Sequence, residues 1–179
     1  MKKVYYYVTK GKSFISKSIE LWTRSYCSHA GFIDDTKLND ITLQNLKTTK
    51  DCLIEAWVKP KEHFWQMRVI RSSLSYHSPG THFEVFELKV NNHEYHKIHE
   101  FQNICVFLEV PYDWKAIVGF VLRFKMRNNG KLFCSEKECM SLKYAGILPN
   151  DFPCWRVHPS DFKYLLKSLG ARKVLEFTT

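Results

Sequence analysis

A carboxylate stands in the middle of an otherwise apolar run, CLIEAWV at residues 52–58. The β-branched and aromatic content of the run reads as a strand. A period of two puts Cys52, Ile54, Ala56 and Val58 on one side and Leu53, Glu55 and Trp57 on the other. Glu55 thus shares a face with two large apolar side chains, where an unpaired charge is costly. The fold has to bring a partner to Glu55, and that requirement narrows what the rest of the chain can do.

Four further stretches have strand patterning: VYYYVTK (4–10), SHAGFI (28–33), HFWQMRVI (63–70) and HFEVFELKV (82–90), with VLEFT (174–178) as a returning edge strand. Helical spacing appears in KSFISKSIELWTR (12–24) through Phe14, Ile15, Ile19 and Trp22. Residues 91–108 read as a helix behind an Asn cap, and 111–127 as another with Pro111 near its start. A helix from Cys134 to about Ala145 stops at Gly146, and HPSDFKYLLKSLG (158–170) gives the last, capped by Ser160 and ended by Gly170. Residues 34–51 are polar and read as an excursion between strands. Strands and helices do not alternate regularly, so the expected class is α+β, an antiparallel sheet flanked by helices in a single domain of 179 residues.

The MKKVYYYVTK start meets Lys10 and Lys12 before an apolar core can form, so no signal peptide is expected, and no window is apolar for long enough to span a bilayer. The expectation is a protein that is cytoplasmic at synthesis. Six scattered cysteines without a CxxC pair then read as free thiols in a reducing compartment, with no structural metal and no cofactor. The net charge of +9 permits an anionic partner, whether nucleic acid, a membrane surface or an acidic polymer. Its densest basic run, residues 123–131, reads as a solvated helix end and turn.

Cys134 falls where a helix begins, in KLFCSEKECM. The partial positive charge of a helix N-terminus favours a thiolate, and the unpaired N–H groups of the first turn can receive an oxyanion. A thiol nucleophile also needs a histidine base and a group that orients the imidazole. Among eight histidines, His93, His96 and His99 read as an exposed helix face, while His63, His77, His82 and His158 have no chemical context in the sequence. His29 differs, because small Ser28, Ala30 and Gly31 beside it leave room for another element to approach. If its strand pairs with that of Glu55, the carboxylate can hold one ring nitrogen while Cys134 meets the other. Glu136 reads as a helix-dipole residue, Tyr112 and Asp113 as core or capping residues, and Cys139, about 140° round the helix from Cys134, as no resolving partner for it.

The order SHAGF, LIEAW, YDW, FCSE and HPSDF resembles the circularly permuted branch of NlpC-type papain-like cysteine hydrolases, often called YiiX-like, in which the histidine strand precedes the cysteine helix. The resemblance runs over roughly residues 4 to 170 and rests chiefly on SHAGF and FCSE. It implies a permuted papain-like fold with Cys134 as nucleophile, His29 as general base and Glu55 as the orienting residue. Ser135 and Tyr112 are candidates for an oxyanion or substrate contact. The implied substrates are peptide amides, including peptidoglycan fragments, or acyl lipids, processed by hydrolysis or acyl transfer. A cell-wall role would need release on lysis or carriage by a phage particle. The alternative from a different class is a non-catalytic basic module that binds nucleic acid or another polyanion, with Cys134 structural.

Overall fold

The computed structural model describes residues 1–12, 17, 26–57, 62–63, 66–112 and 132–179. Within them the chain forms strands β1 (Lys2–Lys10) and β2 (His29–Ile33), helix α1 (Leu43–Thr48), strands β3 (Leu53–Trp57), β4 (Arg68–Ser72) and β5 (His82–Val90). Helices α2 (Asn92–Phe107), α3 (Cys134–Tyr144) and α4 (Pro159–Ser168) and strand β6 (Arg172–Thr178) complete it. The expected helices at 12–24 and 111–127 lie almost entirely outside the described residues, as does the basic run at 123–131. No helix among the described residues is long and apolar enough to cross a membrane.

All six strands join one antiparallel sheet in the order β4-β3-β2-β1-β5-β6. The sheet is α+β in class, with β6 at one edge as its short, polar-flanked sequence suggests. Alternation along each strand creates two apolar faces. Val4, Tyr6, Val8, Ala30, Phe32, Ile54 and Phe86 form one core with Ile98 and Cys105 of α2, Cys139 and Leu142 of α3, and Phe162 and Leu166 of α4. Tyr7, Ile33, Leu53, Phe83, Val85 and Phe177 form the other, covered by Leu46 of α1 and by Leu74. Each large side chain so buried contributes about 1.5–3 kcal/mol.

Local chemistry sets the helix ends. Asn91 accepts the Glu94 N–H while Glu94 accepts the Asn91 N–H, a reciprocal cap that starts α2. Gly146 and Gly170, at φ of 80° and 84°, follow α3 and α4 in the left-handed conformation that glycine adopts at least cost.

Four expectations need correction. Helix α4 begins earlier than a Ser160 cap would allow, because Pro159 occupies its first position and His158 flanks it; the Ser160 hydroxyl instead accepts the Cys27 N–H at 3.1 Å. The strand expected at 63–70 runs from Arg68 to Ser72, since His63 and Gln66 close a turn on each other through two hydrogen bonds of 2.9 Å. The polar excursion holds a helix, α1, whose Thr42 cap accepts the Asn45 N–H and whose Leu46 is buried. His99 is buried rather than exposed: its Nε2 lies 3.0 Å from Asp35 Oδ1, whereas His93 and His96 remain exposed.

Candidate active site

The pairing of β2 with β3 sets Phe32 opposite Ile54 and Ile33 opposite Leu53. Carried one step further, that register puts Glu55 level with Gly31, on the face that also carries His29. His29 Nε2 lies 2.7 Å from Glu55 Oε2. Cys134 faces the same imidazole, and its thiolate is favoured by His29 and by the backbone N–H groups of Ala30 and Ser135. Three residues drawn from β2, β3 and the first position of α3 are therefore brought together, all buried.

Small residues make that approach possible. Cys134 packs in a cluster with Ala56, Tyr112 and Phe133, and its backbone neighbour across the gap is Ala30. Tyr112 is thus a core residue beside the thiol, held by its N–H to the Met67 carbonyl at 3.0 Å. Ser135 is fully buried and its hydroxyl donates to the Val157 carbonyl at 2.7 Å, so any oxyanion contact from this residue falls to its N–H. The first bond of the helical ladder is Lys137 N–H to Phe133 O at 3.0 Å; the N–H groups of 134–136 precede it, at the positive end of the helix.

Glu55 is the most heavily engaged carboxylate in the site. Its Oε2 accepts from the Tyr7 hydroxyl at 2.7 Å as well as from His29, and its Oε1 accepts from the Ser72 hydroxyl and from His77 Nε2 at 3.1 Å. Trp57 closes over both imidazoles, its ring centroid 5.2 Å from His29 and 4.8 Å from His77. The sequence around His77 carries no sign of chemistry, yet the fold brings it to Glu55. His77 follows the short turn Leu74–Tyr76, and no local motif signals where that turn will deliver it. Tyr7 was equally silent, although Gly31 offered an indirect signal: a β-carbon there would stand 2.4 Å from the Tyr7 hydroxyl, so the glycine is what lets tyrosine reach Glu55.

The electrostatics follow from these contacts. Burial by itself pushes the Cys134 thiol up, but the His29 imidazolium and the two N–H groups outweigh it and hold the thiol below the usual cysteine range. Burial likewise opposes protonation of His29, yet the Cys134 thiolate and Glu55 raise it to about 10. Burial raises Glu55 too, and His77 and His29 together bring it well below the ordinary carboxylate range. These shifts favour a thiolate beside an imidazolium, with a carboxylate behind it.

Further along α3, Lys137 and Glu138 are both fully buried. Lys137 Nζ meets Glu138 Oε1 at 2.6 Å, Gln102 Oε1 at 2.7 Å and the Ile54 carbonyl at 3.1 Å, while Gln102 Nε2 donates to Glu138 Oε2 at 2.7 Å. This network ties α3 to α2 and to the strand residue next to Glu55. On the side of α3 roughly half a turn away from Cys134, a groove of about 310 Å³ is lined by Glu136, Met140, Lys143, Phe152, Cys154 and Trp155, among others. No cluster of three or more His, Cys, Asp or Glu side chains arranged to hold a metal ion occurs among the described residues.

No family model matches the chain, and no curated protein matches it.

Proposed function

We propose that this chain is a cysteine-dependent hydrolase or acyltransferase of the circularly permuted, NlpC-type papain-like class, acting on an amide or ester carbonyl. The observation that carries this reading is the placement of buried Cys134, at the start of α3, against the same imidazole that Glu55 holds at 2.7 Å. The Cys134 thiolate attacks the carbonyl carbon. Backbone N–H groups at the start of α3 stabilise the oxyanion, and His29 hands its proton to the leaving group. Water or another acceptor, deprotonated by His29, then releases the acyl group from sulfur. Glu55 keeps the imidazole in its orientation and balances its charge throughout.

Peptide amides, peptidoglycan-type peptides and acyl lipids are the substrate classes this reading brings with it. The test is turnover of a panel of peptide and acyl-ester substrates by the wild type, Cys134→Ala and His29→Ala. Loss of turnover by roughly 10²–10⁴-fold on removing His29 is expected for a general base. Activity unchanged in Cys134→Ala would overturn the proposal.

A further inference from the structure

Two thiols that the chemistry above does not use lie against each other. Cys139 is on α3, and Cys154 opens the single turn Cys154–Arg156, which packs on that helix; their sulfurs are 2.7 Å apart, and both are free and buried. A disulfide bond is about 2.05 Å long, so a further approach of roughly 0.7 Å closes it. The two residues are 15 apart in sequence and come from separate elements, so a bond between them staples α3 to the turn rather than merely decorating one helix.

We propose that Cys139 and Cys154 are a thiol-oxidation site, forming a reversible intramolecular disulfide on exposure to a peroxide. The two sulfurs are not equivalent. Cys139 is completely inaccessible, whereas Cys154 lines the groove beside Glu136, Lys143 and Trp155, which gives a small oxidant its route in. The Cys139 thiol donates its hydrogen to Cys154 sulfur, which with Lys143 nearby favours the thiolate at Cys154. Cys154 thiolate attacks one oxygen of hydrogen peroxide and the O–O bond breaks, leaving a sulfenic acid and a hydroxide that takes up a proton. Cys139 sulfur then attacks the sulfenic sulfur, the S–O bond breaks, and the departing hydroxide takes the Cys139 proton. Two thiols are oxidised and one peroxide is reduced to two waters.

The bond would fix one wall of the groove and the turn leading to Val157, whose carbonyl holds Ser135 beside the nucleophile. It would leave Cys134 untouched. Five residues along the helix place Cys139 about 140° round and about 7.5 Å further on, and the Cys134 sulfur is engaged by His29. The inference uses neither His29 nor turnover, so it stands or falls independently of the proposed hydrolase activity.

The experiment treats the full-length Cys134→Ser protein, and in parallel the wild type, with hydrogen peroxide at a level that fully oxidises glutathione. Remaining thiols are then alkylated and the disulfides mapped by mass spectrometry. The expected product is a cross-link between the peptides carrying Cys139 and Cys154, reversed by dithiothreitol and absent in Cys139→Ser and Cys154→Ser. Closing a loop of this length should also raise the melting temperature by about 5–10 °C, read on the wild type before and after reduction in case a serine variant folds poorly. Both residues remaining open to alkylation once the protein is denatured, or a cross-link that joins other cysteines, would overturn the proposal.

Discussion

Tyr7 donates its hydroxyl hydrogen to Glu55 at 2.7 Å, passing over Gly31, which lies opposite Tyr7 on the intervening strand. One residue without a side chain on β2 thereby connects a phenol on β1 to a carboxylate on β3, and that carboxylate holds the histidine. The sheet itself positions the His29–Glu55 pair.

Gly31→Ala should therefore disrupt more than its own position. The added β-carbon falls 2.4 Å from the Tyr7 ring and hydroxyl, an overpacking expected to cost about 1–3 kcal/mol. Tyr7→Phe keeps the ring and loses only the bond to a charged acceptor, costing about 1.5–3 kcal/mol. Urea unfolding checks both. The double variant Gly31→Ala with Tyr7→Ala should lose less than the sum of its singles, because the clash is gone.

Removing His77 should act through Glu55. Without it Oε1 keeps only Ser72, and the group that most favours the Glu55 carboxylate is lost. His77→Ala is expected to raise the Glu55 pKa and to shift the acid limb of the Cys134 alkylation profile to higher pH. An unshifted limb with a uniformly slower rate would mean that His77 serves only packing.

Stability should respond to pH in two opposite directions. Glu55 is depressed in the folded state, so its contribution is present above the unfolded value of about 4.3 and is lost as pH falls through the lower folded value. His29 is raised to about 10; its contribution is complete below about 6.5 and fades as pH climbs through that folded value. Denaturant midpoints measured across pH should show a Glu55→Gln variant losing the acid dependence, and a His29→Ala variant losing part of the alkaline dependence.

The pair Lys137 and Glu138 offers a further test. Lys137→Met leaves a buried carboxylate with only Gln102, and a cost of about 3–5 kcal/mol is expected. Adding Glu138→Leu should recover most of it, since replacing both charges by apolar groups removes the uncompensated one.

Strand periodicity made Glu55 conspicuous, and helix-end chemistry did the same for Cys134; the strands at 82–90 and 28–33 and the helices at 91–108 and 134–145 were readable for the same local reasons. The partners of Glu55 were another matter. Tyr7, Ser72 and His77 reach it through sheet register and a turn trajectory, quantities set by pairing between distant segments that no local pattern encodes. Nothing in the sequence singles out Lys137 and Glu138, because their burial depends on α2 and β3 closing over them. The burial of His99 is hidden from the sequence for the same reason: its helix periodicity is polar, and the carboxylate it meets, Asp35, sits 64 residues away.

The proposed chemistry depends on a Cys134 thiolate maintained by His29. Its most direct measurement is the pH titration of thiolate ultraviolet absorbance, taken as the difference between the wild type and Cys134→Ser, and repeated in the His29→Ala background. Cys134 should already be a thiolate below the free cysteine value of about 8.5, and removing His29 should move its titration to or above that value. A titration at or above the free value in the wild type, or one indifferent to His29, would contradict it.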